Sequence, residues 1–181
     1  MYVIQTIAGN EIKARDYMTH FLLPSESLWV PMKPKAIKGE NGWIEIKEVL
    51  LPSYILLDTP DPWDFKWRLT KYPPDYNLHM VGRIYKENGV DNFGQVTDKE
   101  LAFIRALCGQ SSIGVKVDDK VTIISGPLVK MEGKIKKINR HKRKALINLP
   151  FMSNSLDIWV ALEVLSSLPE AKSASFAGSK E

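Results

Sequence analysis

The chain has 181 residues, 44% hydrophobic and 25% charged, with a net charge of +4 at pH 7 and one cysteine, Cys108. That length suits one or two small globular domains, and a lone thiol excludes a disulfide framework and points to a reducing, cytoplasmic compartment. No N-terminal basic-then-apolar pattern suggests a signal peptide, and no apolar run approaches the roughly 20 residues of a membrane span.

Tyr2–Ile7 is an apolar run, read as a buried strand that starts almost at the first residue. Gly9-Asn10-Glu11 reads as a helix entry, with Asn10 as N-cap and Glu11 in the positive first turn. Ala14, Tyr17, Met18, Phe21 and Leu22 then form one apolar helical stripe, which Pro24 ends. Leu28–Pro31 reads as a second strand. Asn41-Gly42 is a hairpin-turn signal. It separates Lys33, Lys35 and Lys38 from the alternating run Trp43–Glu48, a pattern that predicts a projecting hairpin. Leu50–Leu57 reads as a central, nearly all-apolar strand.

Asp61 is the expected cap of a second helix, with Pro62 at the first helical position, where its missing N–H is harmless. This helix carries two apolar rows, Trp63/Trp67 and Phe65/Leu69/Tyr72. That is one more than a single core needs, so the helix is either buried on two sides or turns one row toward a partner. Pro73-Pro74 breaks it. Leu78–Val81 reads as a further strand and Glu87–Gly94 as turn-rich. Thr97-x-x-Glu100 is a capping box for a third helix with Leu101, Ile104, Leu107 and Cys108 on its stripe; Gly109 fits the stop after it.

A Ser/Gly linker over 110–116 leads to the most unusual stretch, 118–149. Between Lys130 and Lys144 there are eight Lys/Arg against one acid, Glu132, a local +7 in a chain of +4, so all other residues sum to −3. Concentrated positive charge on strands and their turn is the footprint of a polyanion site, although such a run can also be only a solvated face. Ser125-Gly126-Pro127 marks a turn. Asn139–Lys142 reads as a hairpin tip, and Ala145, Ile147 and Leu149 alternate after it. Period two fails between Ile135 and Ile138, which predicts a bulge. Strands continue through Phe151 and Ile158–Val160 to Leu165, and the Ser/Ala/Gly-rich segment from Pro169 is expected to be disordered. The order β-α-β-β-β-α-β-α, then five short strands, reads as α+β with a small all-β barrel unit.

The segment Val121-Thr122-Ile123-Ile124-Ser125-Gly126-Pro127, with Gly133 and Ile135 after it, resembles the KOW motif of SH3-like barrels. Tyr2-Val3-Ile4-Gln5-Thr6 with Gly9 and Glu11 is similar to the opening of the NusG N-terminal (NGN) domain, and Leu51–Leu57 to its F-P-G-Y-V-L-V strand. Val96–Leu107 resembles its last helix. In that order the likeness to the NusG family covers roughly 1–165. It implies a ferredoxin-like NGN domain over 1–109, a linker over 110–116, a KOW barrel over 117–166 and a disordered tail over 167–181. It also implies docking on the clamp helices of RNA polymerase through Gln5, Tyr54, Leu56, Leu78 and Met80. The gate loop would be reached through Phe65, Lys66, Trp67 and Arg68. The housekeeping F-G-R segment, associated with ribosomal protein S10 and Rho, reads Phe151-Met152-Ser153 here, which puts both contacts in doubt. The short linker and the basic hairpin are more similar to a specialised paralog such as the LoaP group of antiterminators.

The resulting expectation is a monomeric transcription antitermination and elongation factor. It grips a structured nascent RNA hairpin through Lys130, Lys134, Lys136, Lys137, Arg140, His141, Lys142, Arg143 and Lys144. Few aromatics interleave with these bases, so backbone and shape readout is favoured over stacking. The alternatives are a housekeeping factor whose barrel binds only proteins, and a ribosomal protein with such a barrel. An enzyme is not expected: His20, His79 and His141 are scattered, and neither metal-ligand spacing nor a phosphate-cradling Gly-rich loop is present, so neither cofactor nor metal is expected. Asp118-Asp119 are read as turn formers.

Overall fold

The computed structural model describes residues 1–71, 76–87, 90–117, 120–152 and 154–166, and of 83–87, 90–92 and 117 the backbone alone. Pro73-Pro74, Asp118-Asp119 and the tail from 167 lie outside the described residues.

The chain is a mixed α+β protein. Its first sheet has strand order β2-β5-β1-β6, from β1 (Tyr2–Gln5), β2 (Ser27–Trp29), β5 (Tyr54–Asp58) and β6 (His79–Met80), with antiparallel neighbours. Successive side chains leave a strand on opposite faces. Ile4, Ile55 and Leu57 therefore pack with Ala14 and Met18 of α1 (Glu11–Thr19) and with Phe65 and Leu69 of α2 (Pro62–Lys71). Val3 and Leu56 belong instead to a second core with Ile104 and Leu107 of α3 (Asp98–Gly109). A sheet buried on both faces needs apolar residues at every position, which is why Leu50–Leu57 is nearly continuous in character. Its strand is shorter than expected, β5 starting only at Tyr54, with Leu50 and Leu51 buried ahead of it.

Local signals in the sequence account for two helix starts and one hairpin turn. The Asp61 carboxylate accepts from the backbone N–H of Trp63 and of Asp64, both at 3.0 Å. Thr97 and Glu100 form a reciprocal capping box. The Asn41-Gly42 hairpin pairs β3 (Met32–Gly39) with β4 (Gly42–Val49), whose first six residues are exposed, so it does project.

Five further expectations need correction. Asn10 makes no side-chain cap; buried Glu11 reaches past it to accept from the N–H groups of Gly9 (3.0 Å) and Ser53 (2.7 Å). Helix α1 ends at Thr19, before Pro24, and Gly109 is the last residue of α3, not a residue beyond its end. Glu87–Gly94 is not merely turn-rich: β7 (Gly82–Glu87) and β8 (Val90–Phe93) pair there. The segment taken as a linker is largely a strand, β9 (Ser112–Val117). Ser and Gly in it signal close packing and not freedom: a Cβ on Gly114 would meet Val121 Cγ1 at 2.9 Å, and Ser112 is fully buried, its Oγ accepting from Leu128 N–H at 3.1 Å.

The second half forms a five-stranded sheet of order β10-β9-β13-β12-β11, with β10 (Lys120–Ser125), β11 (Ile135–Asn139), β12 (Lys144–Phe151) and β13 (Asn154–Leu165). The long β13 pairs with β12 over residues 154–161 and then with β9, in parallel, over 162–165. Gly126 turns the chain at φ +89°, and a Cβ there would lie 2.6 Å from the Ser111 carbonyl oxygen. The expected irregularity appears as a register shift between Ile135 and Lys137. Gly133 lies in a 3-10 turn, Glu132–Lys134, and the strand begins after it at Ile135. Ala145, Ile147 and Leu149 all face inward, in the same buried cluster as Val3 and Leu56 of the first sheet. The ring of Tyr54 meets that of Phe151 with centroids 5.3 Å apart.

Candidate nucleic-acid interface

Because Ala145, Ile147 and Leu149 point inward, the residues between them point out. Register places Lys137, Leu146 and Trp159 in one row on that face, and Asn139, Lys144 and the buried Ala161 in the next. Lys136 shares this face: its Nζ donates to both Asp157 oxygens at 2.7 and 2.8 Å, and Asn148 donates to the same carboxylate at 2.9 Å. The Lys136 ammonium, then the Asn148 amide, hold the Asp157 carboxyl below the ordinary carboxylate range. Lys144 Nζ lies 4.2 Å from the centroid of the Trp159 ring.

The tip is the turn Arg140–Arg143. Asn139 Oδ1 accepts from Lys142 N–H at 3.0 Å, the Arg143 N–H donates to the Arg140 carbonyl at 3.1 Å, and Arg143 sits at φ +45°. Arg140, His141 and Lys142 are exposed there. Arg143 turns back instead. It pairs with Glu163 at 2.9 Å and lies 4.7 Å over the ring of Trp43 on the β3–β4 hairpin.

The nine expected contact residues thus fall into two groups. Lys136, Lys137, Lys144 and the tip residues Arg140, His141 and Lys142 form one cationic ridge, which Arg143 leaves for Glu163 and Trp43. Lys130 and Lys134 precede β11 and lie at its other end, about 16 Å away for a five-residue strand, with Lys134 Nζ 5.8 Å over Phe103 of α3. Among the described residues, Lys130, Lys134, Lys137, Arg140, Lys142 and Lys144 have no ion-pair partner.

The residues expected to meet polymerase do not all share a surface. Gln5, Tyr54 and Leu56 lie on the sheet face that α3 and Phe151 cover, Leu56 fully buried; Gln5 Oε1 is 3.0 Å from His79 Nε2. Leu78 and Met80 pack in the other core, against the helices α1 and α2. On α2, Phe65 is core. Arg68 is a brace: its guanidinium bonds Glu26 Oε1 at 2.6 Å and Asp64 Oδ2 at 2.8 Å. Burial works to raise the Glu26 carboxyl, but the Arg68 guanidinium, the Leu23 N–H and the Thr59 hydroxyl hold it below its ordinary value. Trp67 is 56% exposed, with Lys71 Nζ 3.6 Å over its ring, and Lys66 caps exposed Trp63 at 5.2 Å. Of the two rows on α2, one is therefore buried and one is open; Tyr72 lies outside the described residues.

Between the β3–β4 hairpin and the second sheet runs a cleft of about 610 Å³, lined by Lys33, Lys35 and Lys38 on one side and by 141–144 and Trp159 on the other. Sequence reasoning missed this convergence. The outward alternation of Ile158-Trp159-Val160 could have placed Trp159 beside the basic strand; nothing local could have placed Trp43, which arrives from a hairpin one hundred residues away.

Among the described residues no group of His, Cys, Asp or Glu could hold a metal ion, and no helix is long and apolar enough to cross a membrane. What the fold and site define is an α+β protein with a cationic ridge on the outer face of its second sheet. No protein-family model and no curated protein matches the chain.

Proposed function

We propose that this protein is a transcription elongation and antitermination factor of the NusG type, with an NGN-like ferredoxin sandwich in its first half and a KOW-like SH3 barrel in its second. Support for the barrel reading comes from β13, which pairs with β12 over 154–161 and then with β9 over 162–165, linking two hairpins into one five-stranded sheet. The observation that carries the functional reading is the ridge. Lys137, Arg140, Lys142 and Lys144 lie on or at the tip of one outward face and have no ion-pair partner among the described residues, Asp157 on that face being held by Lys136, so phosphates are their natural counterions. The occupant is a structured nascent RNA hairpin gripped by its backbone.

Polymerase is met by the first half. The open row of α2, Trp63 and Trp67 with Lys66 and Lys71, offers apolar surface rimmed by charge, a composition common at the centres of interfaces. Docking through Gln5 and Tyr54 requires the Tyr54–Phe151 contact to open first.

The test is a gel-shift titration with a hairpin RNA, together with retention on immobilised core polymerase. Lys137→Ala/Arg140→Ala/Lys142→Ala should weaken RNA binding and flatten its salt slope by roughly one unit per lost phosphate contact, with polymerase retention unchanged. RNA affinity indifferent to all three changes would defeat the RNA assignment, and polymerase binding without RNA binding would identify a housekeeping factor.

A further inference from the structure

The cleft beside the ridge has a chemistry that backbone binding does not use. Its volume, about 610 Å³, lies within the range of small-ligand pockets. Two indoles line it, Trp43 from the hairpin and Trp159 from β13, each with a cation packed on its ring: Arg143 at 4.7 Å and Lys144 at 4.2 Å. Trp43 and Arg143 also line a smaller cavity of about 140 Å³, so the pair stands as a wall between two spaces. The two acids in the cleft are already engaged, Glu48 by Lys33 (2.7 Å) and Lys35 (2.8 Å) and Asp157 by Lys136 (2.7 Å). Lys38 and Lys142, which line it from the hairpin and from the tip, have no ion-pair partner among the described residues.

From this, and resting on the RNA reading above, we infer that the cleft receives one unpaired nucleotide of the bound RNA. Its base stacks on the Trp43–Arg143 and Trp159–Lys144 pairs, and its phosphate is met by Lys38 and Lys142. Flat aromatic and guanidinium surfaces are what unstacked bases seek. An acidic peptide would use the lysines but leave the indoles without a role. The protein thereby prefers RNA in which a base is free to leave the helix, next to a duplex that the ridge grips.

The test compares a blunt 20-base-pair RNA duplex with the same duplex carrying one bulged adenosine, by fluorescence anisotropy at fixed salt. A base stacked on an aromatic ring adds to binding, so the full chain should prefer the bulged RNA by about tenfold. Trp43→Ala should abolish that preference while keeping affinity for the blunt duplex, and Trp43→Phe should restore much of it. The ridge variant Lys137→Ala/Arg140→Ala/Lys142→Ala should lose both RNAs. Equal affinity of the native chain for the two RNAs overturns the inference but spares the RNA reading. Equal loss of both on Trp43→Ala does the same. Failure to bind either RNA overturns both. Polyglutamate that quenches the Trp43-dependent fluorescence, when bulged RNA does not, assigns the cleft to an acidic peptide and overturns the inference.

Discussion

Ser53 shows how one residue can stand against its own backbone. It occupies φ +72°, the left-handed region, at the turn before β5 where the resembled motif has glycine. A non-glycine residue there costs on the order of 1 kcal/mol, and the conformation is held by the Glu11 carboxylate on its N–H at 2.7 Å. Ser53→Gly should therefore raise the urea midpoint modestly, whereas Glu11→Ala should lower it, because the Gly9 and Ser53 N–H groups lose their acceptor. Arg68 and Glu26 are a stricter case, since Glu26 has a side chain only 1% exposed. Arg68→Ala leaves that charge unpaired and should cost about 3–5 kcal/mol in chemical denaturation.

The pH dependence follows from the same carboxylates. Glu26 and Glu48 both titrate below the ordinary 4.5, the bonds from Arg68 and from Lys33 and Lys35 outweighing burial. A lowered folded value means their stabilisation is complete above about 4.5 and is lost as the pH falls through their folded values. Unfolding free energy should decline on acidification below that point, and less steeply in Glu26→Gln. Cys108 moves the other way: burial pushes its thiol up to about 11, so native protein should react with thiol reagents near pH 8 far more slowly than unfolded protein.

At the scale of elements, local chemistry fixes ends while packing fixes faces. Thr97 caps α3 through hydrogen bonds that lie within three residues of it, so its role is legible in sequence; Thr97→Ala should cost about 1 kcal/mol. Helix α2 is different. Its two apolar rows are equally visible in sequence, and only the position of the first sheet decides that Phe65 and Leu69 are buried and Trp67 is open. The linker over 110–116 failed as an expectation for a related reason. Ser112 and Gly114 are small because β10 and the turn at Gly126 press on them, a pressure exerted by residues far along the chain. Phe151 likewise covers Tyr54. Phe151→Ala should expose that ring and increase retention on polymerase, if that face docks there, and a protease or fluorescence assay of Tyr54 accessibility checks the opening itself.

At the scale of the molecule, charge is unevenly shared: a stretch of +7 in a chain of +4. Binding that rests on such a ridge should weaken steeply with salt, while the stacking preference assigned to Trp43 should be nearly salt-independent, because stacking releases few counterions.

The sequence alone determined the α+β composition, the caps of α2 and α3, the hairpin at Asn41-Gly42, the bulge in β11 and the placement of the cationic run on strands and a turn. All of these depend on residues within a few positions of one another. Only the tertiary structure decided which sheet face Leu56 and Leu78 occupy, that Arg143 leaves the ridge for Glu163 and Trp43, and that two tryptophans converge on the basic tip. Those are contacts between strands distant in sequence, set by the burial of both faces of one sheet, and no local period encodes them.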